Sequence, residues 1–171
     1  MDAKPINLNL IIDNFDDNYW SRKFGSIFIS NSPGSTNSIE EDIKKAANFK
    51  ISTILSLLED HEIESLKLER LHLLLSEINI VYYRYPISDF NVPNTENIST
   101  LDTILSDLLD RLTVGDNVLI HCKAGLGRSG MISALLLKKF GMTADKAIEQ
   151  VRLIKPGSIE TLKQENFIKS Y

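Results

Sequence analysis

Nine consecutive residues combine the chain's one cysteine with a fixed cation six positions later: His121-Cys122-Lys123-Ala124-Gly125-Leu126-Gly127-Arg128-Ser129. A thiolate is a strong nucleophile, and it needs positive surroundings to persist at neutral pH. Gly125 and Gly127 let the intervening backbone turn tightly, so that successive N–H groups converge on one point and favour an anion there. Arg128 adds a full positive charge in a planar fork suited to two phosphoryl oxygens. Attack by Cys122 on phosphorus spreads charge over three equatorial oxygens. The backbone of Lys123, Ala124, Gly125, Leu126, Gly127 and Arg128 would then bind them. Ser129 can hydrogen-bond the sulfur and steady it as a leaving group, or cap the following helix, or both. His121 can fix the strand end as a core imidazole and orient the loop by hydrogen bonds.

Other readings of the loop are weaker. An isolated cysteine is usually a buried, inert side chain. Here its spacing to Arg128 and its neighbours His121 and Ser129 argue for chemistry. Gly125-Leu126-Gly127-Arg128-Ser129-Gly130 satisfies the dinucleotide pattern G-x-G-x-x-G. Only 41 residues follow Gly130, however, and they open with two helical stretches instead of a strand ending in an acid. A nucleotide P-loop fails, because no Gly-Lys-Ser/Thr is present.

The elements that must hold this loop follow from the pattern around it. Asn117 to His121 reads as a strand and Ser129 to Phe140 as a helix, so the loop opens a helix at a strand's carboxyl end. Upstream, Ser26–Ser30 and Ile51–Leu58 are short apolar strands, and Ile80–Tyr85 is another, stopped by Pro86. Ser38 with Glu41 opens a helix to about Phe49. Apolar residues at helical spacing predict one helix over Glu62–Glu77 and a long one after Asn94, ended by Gly115. Thr143 caps a helix over Ala144–Lys155, and a short last helix lies near Glu160–Lys169. Alternating strands and helices predict an α/β fold with a central, mostly parallel sheet of about four or five strands, flanked by helices on both faces. No linker or repeat divides it, so residues 1–171 read as one domain. Ligands of such sheets sit at the carboxyl ends of the strands.

Cleaving a phosphate ester also needs an acid for the leaving oxygen. Asp89 is the best candidate. It lies in Tyr85-Pro86-Ile87-Ser88-Asp89-Phe90-Asn91-Val92-Pro93, a proline-braced loop leaving another strand's carboxyl end. Asp60 reads as a helix cap, and Asp116 lies at the wrong end of the cysteine strand. Gln164 is a candidate for positioning water.

Composition bounds the partners. The 171 residues are 43% apolar and 25% charged with a net charge of −4, and no run of Lys or Arg exceeds two. That argues against nucleic acid and anionic membranes as partners. No apolar stretch reaches the ~20 residues of a membrane span, and the N-terminus lacks a signal pattern. A single cysteine forms no intrachain disulfide or cysteine-rich zinc site. A cytoplasmic, monomeric protein needing no metal or cofactor is expected.

The motif His-Cys-x5-Arg-Ser resembles that of the cysteine-dependent protein tyrosine phosphatase superfamily. Within it the chain is most like the compact dual-specificity branch, especially the kinase-associated and mitotic-exit phosphatases. Phe28-Ile29-Ser30 to Pro33-Gly34, Pro86-Ile87-Ser88-Asp89 to Pro93, and Ile159-Glu160-Thr161-Leu162-Lys163-Gln164 match in order around the cysteine loop. The resemblance implies Cys122 as nucleophile, Arg128 as phosphate binder, Asp89 as acid, Ser129 as support for the thiolate, and Gln164 as orienter of hydrolytic water. It implies a phosphoprotein or phosphopeptide substrate, hydrolysed through a phosphocysteine, with both phosphotyrosine and phosphoserine or phosphothreonine accepted. Phosphoinositides or inositol phosphates are the alternative substrates. Lys123 suits them, while Leu126 stands where a related lipid phosphatase has a second lysine. A phosphate-binding module without catalysis is a further alternative, as is a sulfur-transfer or arsenate-reducing enzyme.

Overall fold

A computed structural model describes residues 1–7 and 24–171. Five strands form one sheet among these residues: β1 (Lys4–Asn7), β2 (Ser26–Ser30), β3 (Ile51–Ser56), β4 (Val81–Arg84) and β5 (Asn117–His121). Their spatial order is β1-β2-β5-β3-β4. Only β1 runs antiparallel to its neighbour. The α/β class and the mostly parallel sheet are as expected. β1 is an addition, because Lys-Pro-Ile-Asn shows no strand pattern. It is an edge strand, where a proline's missing N–H costs least.

Alternating side chains of each central strand feed two cores. Ile27 and Ile29 of β2, with Val118 and Ile120 of β5, point to one face. There they meet α4 (Ile98–Thr113), α5 (Gly127–Lys139) and α6 (Ala144–Ile154), with α7 (Leu162–Ser170) packed on α5. Phe28, Ile54 and Leu119 point to the other face, covered by α1 (Ile39–Asn48), α2 (Asp60–Ser65) and α3 (Leu71–Ser76). Two-sided burial explains why these strands read as near-continuous apolar runs. No helix of the described residues is long and apolar enough to cross a membrane.

The single helix expected over Glu62–Glu77 is two short ones. Lys67 takes φ 56, the left-handed region, and Leu68 N–H closes back on Ile63 carbonyl at 3.0 Å. The reversal turns Leu68 inward beside Ile63 and Leu71, all three buried. A continuous helix would set Leu68 about 140° round the axis from Ile63, off the buried stripe. The cap also shifts: Glu59 precedes the helix and its N–H donates to Glu62 Oε2 at 3.0 Å, while Asp60 pairs with Arg84 at 2.7 Å. Asn94 caps a short 3₁₀ turn, Thr95–Asn97, ahead of α4.

The sheet register sets the position of the site. Ser30, His121, Ser56 and Arg84 stand side by side across β2, β5, β3 and β4. The residues that follow them, Asn31, Cys122, Leu57 and Tyr85, therefore leave the sheet on one level at its carboxyl edge. β5 lies between β2 and β3, so Cys122 emerges at the centre of that edge.

Candidate active site

The cysteine loop is fastened on two sides. Ser32 N–H donates to Lys123 carbonyl at 3.1 Å, and Leu57 N–H to His121 carbonyl at 3.0 Å. Gly125 takes φ 74, and a Cβ there would lie 2.3 Å from the backbone carbon of Ser30. No side chain fits, so glycine is required both for the turn and for the approach to β2. The loop's curl brings Gly125 N–H to 3.2 Å from Cys122 Sγ, and Ser129 Oγ lies 3.4 Å from the same sulfur. Cys122 is thus held by two polar groups at the mouth of α5. The first-turn N–H groups of that helix have no intrahelical acceptor, which makes them donors for an anion.

Arg128 is the largest fully buried side chain among the described residues, 1% exposed. Glu62 on α2 grips it with both oxygens: Nη1 donates to Oε2 at 2.7 Å and Nη2 to Oε1 at 2.9 Å. Nη1 also donates to Ile87 carbonyl at 3.0 Å. Burial opposes the charged guanidinium, but the Glu62 hydrogen bonds and the negative charges of Cys122, Glu62 and Asp89 outweigh it and raise its pKa. Burial likewise opposes the Glu62 carboxylate, and the hydrogen bonds from Arg128 and Glu59 outweigh that, holding its carboxyl below the usual range. Arg128 Nε has no hydrogen-bond partner among the described residues. A buried N–H without an acceptor is a donor available to an oxygen of a bound anion.

Asp89 reaches the same arginine. Its Oδ1 lies 3.1 Å from Arg128 Nη2, while its side chain stays half exposed at the turn. Two acidic groups therefore share one guanidinium, Glu62 from inside and Asp89 from the solvent side. Nothing in the sequence pattern singles out Glu62, which reads as one polar residue on an amphipathic helix. Its clue is negative: the buried fork of an arginine demands a carboxylate, and α2 follows the strand next to β5.

Gln164 is fully buried, and its amide is already engaged. Its Oε1 accepts from Glu160 N–H at 3.0 Å and Thr161 N–H at 3.4 Å, and its Nε2 donates to Asn91 carbonyl at 3.2 Å. It lies against the loop, since a Cβ on Gly127 would stand 3.0 Å from its Nε2. Both lone pairs of Oε1 are taken, and one N–H of Nε2 remains for a water. Lys123 and Ala124 are exposed at the loop's crown, and Leu126 is half-buried, its carbonyl accepting from Gly130 N–H at 3.0 Å. No group of three His, Cys, Asp or Glu side chains among the described residues could hold a metal ion.

His121 is fully buried, and neither ring nitrogen has a partner of good hydrogen-bond geometry among the described residues. Burial pushes its pKa down to about 4, against a weaker opposing pull from the Cys122 backbone. The unfolded chain's imidazole takes a proton near pH 6.5, which the folded one refuses until about 4. Its stabilising contribution is therefore full above 6.5 and is lost as pH falls through that window. From pH 7 to pH 5 the loss is about 2 kcal/mol. Urea unfolding at both values checks this, with His121→Gln lacking that part of the decline.

Mouse cyclin-dependent kinase inhibitor 3 is 27% identical over 135 residues, 78% of this chain and 63% of that protein. The chain thus spans under two thirds of this relative's length. The crystal structure of kinase associated phosphatase, with its catalytic-site cysteine substituted by serine, matches with a TM-score of 0.80 at 22% identity. The match covers 97% of this chain and 90% of that one. Tk-PTP in its active form matches with a TM-score of 0.65 at 27% identity over 84% of this chain and 89% of that one. Residues 32–168, from the turn after β2 into the last helix, match the family described as "Swiss Army Knife protein, DSP-PTPase phosphatase domain" (PTP-SAK), and the chain belongs to that family of cysteine-based phosphatases.

Proposed function

We propose that the protein hydrolyses phosphomonoesters on phosphoproteins, with both tyrosine and serine or threonine esters as substrates, through a phosphocysteine. Cys122 Sγ attacks phosphorus as the P–O bond to the leaving group breaks. Arg128, through Nε and Nη2, and the loop amides hold the three equatorial oxygens. Asp89 gives its proton to the departing oxygen and so becomes the base for the second step. Water then attacks phosphorus and transfers a proton to Asp89, while Cys122 leaves as thiolate, steadied by Ser129 Oγ and Gly125 N–H. Gln164 has one N–H left to orient that water. The atoms balance without a metal or cofactor.

One observation supports this reading above the others: Cys122, the unpartnered Nε of Arg128 and the carboxylate of Asp89 meet at the edge of one sheet. A binding module has no use for an acid there. The test is release of nitrophenol from para-nitrophenyl phosphate in EDTA. Asp89→Ala lowers the rate on aryl phosphates by about 100-fold and flattens the basic limb of the pH profile. A wild-type profile in that variant would place the acid elsewhere.

A second reading, an inositol phosphate or phosphoinositide as substrate, draws on Lys155. This lysine is about nine-tenths buried and feels the charge of Cys122. Comparing rates on phosphopeptides, phosphoinositides and soluble inositol phosphates separates the two.

A further inference from the structure

The loop carrying Asp89 is held from two directions. On the sheet side, Ile87 N–H donates to Leu57 carbonyl at 3.2 Å, and Ser88 Oγ to Glu59 Oε1 at 2.8 Å. On the other side stands the first turn of α7. Thr161 Oγ1 donates to Phe90 carbonyl at 3.4 Å, Gln164 Nε2 to Asn91 carbonyl at 3.2 Å, and Lys163 Nζ to Asn91 Oδ1 at 2.6 Å. Residues 87 and 88 are therefore held from the sheet side, 90 and 91 from α7, and Asp89 is the residue between. Phe90 takes φ 56 with its ring exposed, a conformation that a bulky side chain adopts only under outside constraint.

Lys163 is oddly placed for its own helix. A cation in the first turn opposes the helix dipole, where acidic residues are favoured. Helix stability gives no reason for an ammonium there, whereas Asn91 does. The Asn91 side chain is itself fixed, because its Oδ1 also accepts Val92 N–H at 3.0 Å.

We propose that Lys163, with Thr161 and Asn91, forms a latch that docks the Asp89 loop onto α7 and so sets the distance between the acid and the cysteine loop. This rests on the phosphatase reading above. Lys163 touches neither phosphorus nor the leaving oxygen; it is a positioning residue acting through Asn91. Gln164 couples the latch to the catalytic loop, being packed against Gly127 while bonded to Asn91.

Lys163→Met, exposed and at a helix start, leaves the fold intact and removes the shortest of the three contacts. With the latch open, Asp89 spends less time in reach of the leaving oxygen. Turnover of a phosphoserine peptide, whose alkoxide needs a proton, is expected to fall about fivefold. Turnover of an activated aryl phosphate, whose phenolate needs the proton less than an alkoxide does, is expected to fall by less than about twofold. In an Asp89→Ala background the substitution is expected to cost nothing on either substrate. Independently of turnover, hydrogen exchange of amides in 87–93 is expected to rise while the rest of the chain stays as in wild type. Equal losses on both substrates, a further loss in the Asp89→Ala background, or unchanged exchange in 87–93 would each overturn the latch. A wild type inert toward every phosphomonoester would instead overturn the phosphatase reading, with exchange still deciding the latch.

Discussion

Cys122→Ser is expected to abolish turnover of para-nitrophenyl phosphate, by at least ~10⁴-fold, while the protein stays folded. The two outcomes have separate physical causes. Serine keeps the contacts: its oxygen can accept from Gly125 N–H and meet Ser129 Oγ, as the buried sulfur does. It loses the chemistry, because a hydroxyl in the same surroundings does not ionise near neutral pH. The anion cradle, made of backbone N–H groups and Arg128, is untouched. The variant should therefore still bind phosphopeptide, and pull-down or calorimetry with a non-turned-over ligand reads this directly. Residual activity above a few per cent, in EDTA and free of contaminating phosphatase, would remove Cys122 from the mechanism. A variant that fails to fold by circular dichroism would show that the sulfur's packing matters more than its contacts indicate.

Glu62→Gln should produce the second large effect, on stability and rate together. Arg128 and Glu62 are 1% and 3% exposed, and they share two hydrogen bonds. Removing one charge of such a pair strands the other in the interior, at a cost of about 3–5 kcal/mol. For a chain of this size that is a fall in Tm of about 10 °C. The freed guanidinium would also lose its fixed plane, and misplacement by about an ångström costs roughly 100-fold in kcat/KM. The pH dependence has a definite sign. The Glu62 carboxyl is held below its ordinary value, so its contribution is present above pH 4.5 and disappears as pH falls through the folded value. The Tm gap between wild type and Glu62→Gln should therefore narrow in acid. A variant melting within 2 °C of wild type at neutral pH would show that Asp89 and the Ile87 carbonyl alone satisfy the arginine.

Glu62 also shows what a sequence conceals. Cys122, Arg128, Ser129 and Asp89 were legible because each belongs to a short local pattern: a glycine loop between strand and helix, or a proline-braced loop after a strand. Strands β2 to β5 were legible from their apolar runs, and the caps at Ser38 and Thr143 from side chains that accept the helix's own N–H groups. Glu62 lies 66 residues from its partner, and nothing local marks it. The helix break at Lys67 was equally hidden, because a left-handed lysine looks like any lysine. Only the need to turn Leu68 inward, while aiming Glu62 at Arg128, explains it. Gln164 combined both kinds of information: its place in the capping box is a local pattern, its bond to Asn91 a distant one.

The ion pair between Asp89 and Arg128 gives the guanidinium a built-in ligand. A carboxylate tethered beside the guanidinium acts as a competitor at high effective concentration, so an incoming anion must out-compete it for Nη2. A dianionic phosphate ester, reaching Nε and the loop amides as well, can do so; a singly charged ion such as acetate or chloride has little to offer in exchange. In the proposed reaction the same carboxylate, returning after each turnover, would help to evict inorganic phosphate. Asp89→Ala would therefore be a slower enzyme that holds both substrate and product more tightly, trading release for retention.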